Sequence, residues 1–191
     1  MLQYNQKKLY LNIQNKNEYE NQNDDFYIET INNNGTSINE PNFSNQCLFI
    51  SIIDFLKKTG IGYNIDTNLT IENLRNLGGL SDNTSHDISD LSNCSIYIAL
   101  QNISTIFNIR FIFYHIKRND SNKIIEYINK ETGLPIPSDI INPNQDNPAI
   151  DPSIELEHKN VFIANFSNHF ELISKIYNNN IVIYNLDEIK L

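Results

Sequence analysis

Tryptophan is missing from this chain of 191 residues, methionine occurs once, and cysteine occurs twice, at Cys47 and Cys94. Two cysteines make no disulfide framework and match no zinc motif, which excludes a disulfide-stapled scaffold and a structural zinc module. No apolar run approaches the ~20 residues of a membrane span, and the opening Met1–Lys8 has no hydrophobic segment of a secretory leader. Basic residues are few. Lys and Arg number 14 against 23 Asp and Glu, a formal net charge of -9. Such a surface argues against nucleic acid and anionic membrane as partners and favours a basic protein partner. There is no glycine-rich phosphate loop and no Gly-x-Ser-x-Gly elbow. The expected setting is intracellular and cytoplasmic, under reducing conditions, with no metal and no other cofactor.

What is present is one domain's worth of chain with a sizeable apolar content. Asparagine fills about one position in six and isoleucine is abundant, a bias read as that of an AT-rich genome. A viral or bacterial source would make the cytoplasm that of a host. Residues 1–40 are expected to be an Asn-rich arm, with short strands over Leu9–Ile13 and Phe26–Ile31, and residues 41–191 the folded domain.

The most informative stretch runs from Asn42 to Lys58. Cys47 opens an apolar run of Leu48, Phe49, Ile50, Ile52, Ile53, Phe55 and Leu56 that covers nearly the whole circumference of a helix. A helix apolar all round belongs in the middle of a fold. Ser44 and Asn45 are suitable caps before it, and Gly60 stops it. Cys47 therefore falls in the first turn, where free N–H groups and the helix dipole favour an anion. Thiols in such places, beside an imidazolium, act as nucleophiles. The plainer reading is that a cysteine in an apolar helix is a small core residue.

A base for that sulfur is found far along the chain. After a turn at Ser167-Asn168, period-two alternation puts His169, Glu171 and Ile173 on one face of a strand and Phe170 and Leu172 on the other. That sets a carboxylate beside an imidazole, as in a catalytic triad. A lone histidine at a strand start is more often structural, so the two segments gain their meaning from each other.

Both segments resemble the OTU (ovarian tumour) family of papain-like cysteine deubiquitinases. The family motif Asp-Gly-Asn-Cys-Leu-Phe/Tyr-x-Ser/Ala-Ile/Leu is matched from Cys47 through Leu48, Phe49, Ser51 and Ile52. His169-Phe170-Glu171-Leu172-Ile173 is similar to the family's histidine motif throughout, and Ile98–Phe113 resembles the helix and strand lying between them. The likeness spans about residues 40–185. It departs where Ser44, Asn45 and Gln46 stand for Asp, Gly and Asn. What the resemblance implies is an α+β, papain-like OTU fold: a mostly antiparallel sheet with the nucleophile helix packed against it. It further implies a catalytic set of Cys47, His169 and Glu171, and an oxyanion hole from backbone N–H groups of Cys47 and of Ser44 or Asn45. The expected substrate is ubiquitin or polyubiquitin on a target lysine, and the expected state is a monomer. An acid of the arm, Asp24 or Asp25, is an alternative to Glu171. Two other readings remain: a catalytically impaired relative that binds ubiquitin, prompted by Ser44 and Asn45, and a papain-like enzyme acting on another ubiquitin-like modifier.

The remaining chain fills in the expected layout. A short helix is predicted over Thr70–Asn76, stopped at Gly78-Gly79, and another over Asn93–Asn108, capped by Ser92 or Asn93, with Ile96, Ala99, Leu100, Ile103, Ile106 and Phe107 on its apolar stripe. Cys94 lies in that helix's first turn, so position at a helix start cannot choose between the sulfurs. The polar loop Leu80–Ser92 carries His86, Asp82, Asp87 and Asp90 in no metal-binding spacing. Arg110–Ile116 reads as a strand with His115 at its end in a structural role, and Ile124–Ile128 as a further strand or short helix. Thr132–Pro152, with five of the six prolines, reads as an irregular loop. Asn160–Phe166, His169–Ile176 and Asn180–Tyr184 read as strands, the last two as a hairpin.

Overall fold

The structure is a computed structural model that describes residues 10–11, 27–28, 35–36, 40, 45–61, 69–80, 91, 94–118, 123–127, 136–143, 159–167, 169–177 and 180–182. Its architecture is α+β. Among the described residues three helices, α1 (Cys47–Thr59), α2 (Ile71–Gly78) and α3 (Cys94–Phe107), accompany eight strands: β1 (Tyr10–Leu11), β2 (Tyr27–Ile28), β3 (Ile109–Arg118), β4 (Lys123–Ile125), β5 (Asp139–Ile141), β6 (Lys159–Asn165), β7 (Phe170–Tyr177) and β8 (Asn180–Val182). The strand order is β1-β4-β3-β6-β7-β2, with β5 also on β3 and β8 on β7. The sheet is mixed. Its central pair β3–β6 is parallel, with Phe111 beside Val161 and His115 beside Asn165, whereas the other pairings are antiparallel.

Strict alternation sorts the strands between two cores. Phe111 and Phe113 of β3, Val161 and Ile163 of β6, and Phe170 and Leu172 of β7 turn to the helices. Ile112, Tyr114, Ile116, Phe162, Ala164 and Ile173 turn to the opposite face. Central strands buried on both faces read as continuous apolar runs, as Phe111–Tyr114 and Val161–Ala164 do. Burial lifts the Tyr114 hydroxyl to a pKa of about 12.

α1 lies between β7 and α2. Leu48, Phe49, Ile52, Phe55 and Leu56 are buried while Lys57 is exposed, which the all-round apolar pattern anticipates. Truncating one of these, as in Phe49→Ala, costs about 3–5 kcal/mol. Gly60 ends α1 at φ 71, a backbone conformation that glycine adopts without steric penalty. Thr70 caps α2 by accepting from the Asn73 N–H at 3.1 Å. Glu40 adds a second cap from far away, its carboxylate accepting the N–H groups of Ile71 and Glu72 at 2.7 and 2.9 Å, where the helix dipole favours a negative charge. α2 and α3 approach so closely that a Cβ on Gly78 would sit 3.0 Å from the Ala99 Cβ.

Four local expectations are corrected. Ile106 is exposed rather than on the buried stripe of α3, where Ser104 is buried instead. The N-cap of α1 is Gln46 rather than Ser44 or Asn45, and it makes no side-chain capping bond. His115 lies within β3, which continues to Arg118, rather than at a strand end. The proline-rich stretch is not wholly irregular, because β5 forms between Pro137 and Pro143. It can do so at the margin of the sheet, where flanking prolines remove no ladder bond. Residues 81–90 of the expected loop, with His86, Asp82, Asp87 and Asp90, the caps Ser92 and Asn93, and Asp24 and Asp25 lie outside the described residues. Among the described residues no helix is long and apolar enough to cross a membrane.

Candidate active site

The start of α1 abuts the start of β7. Packing of Leu48 and Phe49 against Phe170 and Leu172 in one core delivers Cys47 to the strand that follows His169. Cys47 Sγ accepts the backbone N–H of Phe170 at 3.3 Å, across 123 positions of sequence. His169 lies close enough to Cys47 for that side chain to be the largest influence on its titration, and its Nε2 lies 3.1 Å from Glu171 Oε1. Cys47, His169 and Glu171 are thus brought together. Cys94, also the first residue of its helix, is exposed elsewhere.

Burial sharpens the electrostatics. Cys47 is 5% exposed and Glu171 7%, so charge interactions here are weakly screened. The Cys47 side chain is the largest influence on His169 and the hydrogen bond to Glu171 the next. Together they outweigh desolvation and lift its pKa to about 9. The imidazole therefore holds its proton at neutral pH, beside a sulfur that also accepts a backbone N–H.

The loop before the sulfur is built tightly. Asn45 has φ 55, a left-handed conformation that asparagine tolerates better than most residues and that glycine would adopt freely. Gln46 donates its N–H to Gly35 O at 2.9 Å. Gly35 itself has φ 79, and a Cβ there would lie 3.2 Å from Asn45 Cα. From the other side Arg75 Nη1 donates to Gln46 Oε1 at 3.2 Å, with Arg75 2% and Gln46 0% exposed. Of the three expected oxyanion-hole residues, Cys47 stands at the helix start and Asn45 at the loop bend. Ser44 lies outside the described residues.

Gly35, Arg75 and Glu40 were not foreseen. Arg75 did leave a signal: with Ile71, Leu74 and Gly78 it completes the buried stripe of α2 at helical spacing, a place where a charge needs a specific partner. Gly35 follows three asparagines and looks like any turn glycine. Its contact with Asn45 depends on a fold that no local pattern encodes. Among the described residues no group of three or more His, Cys, Asp or Glu is arranged to hold a metal. No family model, curated protein or solved structure matches the chain.

Proposed function

We propose that this protein is a cysteine hydrolase with a papain-like OTU fold that removes ubiquitin from lysine side chains. The observation that carries the reading is the meeting of Cys47 with His169 and the Phe170 N–H at the junction of α1 and β7. The motif resemblance around both residues supplies the substrate class, and the net charge of -9 suits a basic partner surface.

In this mechanism Cys47 passes its proton to His169 as it attacks. The sulfur adds to the carbonyl carbon of ubiquitin's C-terminal glycine and the carbonyl π electrons move to oxygen. Backbone N–H groups at the start of α1 and in the Asn45 bend receive that oxyanion. Removing one such donor in a hydrolase costs about 2.7–4 kcal/mol. Collapse breaks the C–N bond as the His169 imidazolium protonates the leaving lysine amine, leaving a thioester. Neutral His169 then takes a proton from water, hydroxide adds to the thioester, and collapse breaks the C–S bond; the carboxylic acid released loses its proton to solvent, and the sulfur takes back the proton held by His169. Glu171 holds the ring and stabilises its cation.

The test is a ubiquitin probe with a C-terminal electrophile. Wild type and Cys94→Ala should form the adduct and Cys47→Ala should not. Adduct lost only with Cys94→Ala refutes the assignment of the sulfur. The near-complete burial of Cys47, with Ser44 and Asn45 in place of Asp and Gly, favours a second reading: a catalytically impaired ubiquitin-binding relative. That reading requires binding without adduct. Reaction only with another modifier's probe would place the chain among enzymes for ubiquitin-like proteins.

A further inference from the structure

A second hydrogen-bonded group of polar residues stands one turn from the first. Because β3 and β6 are parallel with His115 beside Asn165, the chain leaving β6 passes His115 as it bends. Ser167 Oγ lies 3.1 Å from His115 Nε2. His115 Nδ1 bonds the carboxylate of Glu126, whose backbone N–H is donated to His115 O at 3.0 Å. The Tyr127 ring rests beside the imidazole, centroids 5.9 Å apart.

Serine, histidine and glutamate in this order have the connectivity of a hydrolytic triad. The nearest backbone donor for an oxyanion, the Ser167 N–H, is however already donated to Asn165 Oδ1 at 2.9 Å. What the group does hold is a bend. Ser167 has φ 73, a conformation that residues other than glycine adopt only when their surroundings enforce it. The Phe166 N–H is donated to His169 O at 2.9 Å, so this bend closes on the residue that meets Cys47. Rotation of the backbone at Ser167 swings the His169 ring, and a misplacement of about 1 Å in a reacting group can cost on the order of 10²-fold in rate.

We propose that Ser167, His115 and Glu126 are positioning residues: their side-chain chain of hydrogen bonds fixes the left-handed turn that presents His169 to Cys47. The proposal rests on Cys47 and His169 being the reacting pair, and it is independent of the identity of the acyl group.

The experiment follows alkylation of Cys47 by iodoacetamide in full-length protein carrying Cys94→Ala, at pH 6 and pH 9, by intact mass, with His169→Ala as the reference for a lost imidazolium. His115→Ala and Ser167→Ala should slow the reaction at pH 6 about tenfold while changing it little at pH 9. Ser167→Gly should stay within about twofold of its parent, since glycine holds a positive φ without help. The double variant Ser167→Gly/His115→Ala should recover the rate lost by His115→Ala, which also separates positioning from failure to fold. The proposal is overturned if His115→Ala and Ser167→Ala react like their parent, if Ser167→Gly falls as far as Ser167→Ala, or if a fluorophosphonate labels Ser167. Parent protein that alkylates like His169→Ala removes the reacting pair itself. Normal alkylation with an inert ubiquitin probe removes only the substrate assignment.

Discussion

Two helices of this protein begin on a cysteine, α1 with Cys47 and α3 with Cys94. Each sulfur sits where orphan N–H groups and the dipole favour an anion. Their surroundings differ in every other respect. Cys47 is buried against β7, accepts the Phe170 N–H and stands beside His169; Cys94 is exposed. A helix start is thus a common feature with no chemistry of its own. The chemistry arises where a second element brings a proton carrier and a donor to the same sulfur, and here that element lies 123 positions away.

The contrast breaks most visibly under mutation. Cys47→Ala should abolish reaction with the ubiquitin electrophile and Cys94→Ala should leave it within about twofold, with His169→Ala costing roughly 10³-fold or more, as loss of a triad base does. Glu171→Gln keeps the shape and removes the charge, so a smaller loss, about 10-fold to 10²-fold in kcat, is expected from single-turnover rates. Gly35→Ala places a Cβ 3.2 Å from Asn45 Cα on a residue at φ 79. It should cost about 1–3 kcal/mol in urea unfolding and slow Cys47 more than Cys94 in alkylation by a small electrophile. Arg75→Met removes the donor to buried Gln46 Oε1 and should cost about 1–3 kcal/mol, again with its kinetic effect confined to Cys47.

The last effect is one of pH. His169 is lifted from 6.5 to about 9 in the folded protein, so the unfolded chain releases that proton first as pH rises. The associated stability is present in full below pH 6.5 and is lost as pH climbs through 9. The urea midpoint should therefore fall between those values, and His169→Asn should flatten the fall. A midpoint that rises across this range would contradict the ion pair.

Legibility followed the range of the interactions. α1 was readable because its apolar residues surround the helix and Gly60 ends it, and α2 because Thr70 and Gly79 mark its ends. β6 and β7 were readable from alternation. The side-by-side placement of His169 and Glu171 was readable too, since two residues of one strand face are neighbours by geometry alone. The parallel union of β3 with β6 was not, because strands with period two pair equally well in either direction until the connections are packed. β5 was missed because prolines mask a short edge strand. His115 was read as a structural residue at a strand end, since neither Ser167 nor Glu126 is its neighbour in sequence.

The sequence by itself determined where the helices and most strands run, which faces are apolar, and that one sulfur and one imidazole carry motif-like surroundings. Those are properties of residues within a few positions of each other, set by propensity, periodicity and caps. The tertiary structure alone decided which of two similar cysteines is buried against the histidine, which remote glycine and arginine hold its loop, and how strongly the imidazole keeps its proton. Each depends on distances between segments separated by tens of residues. Only the burial of α1 against β7 brings those distances down to a hydrogen bond, at a place dry enough for a charge to matter.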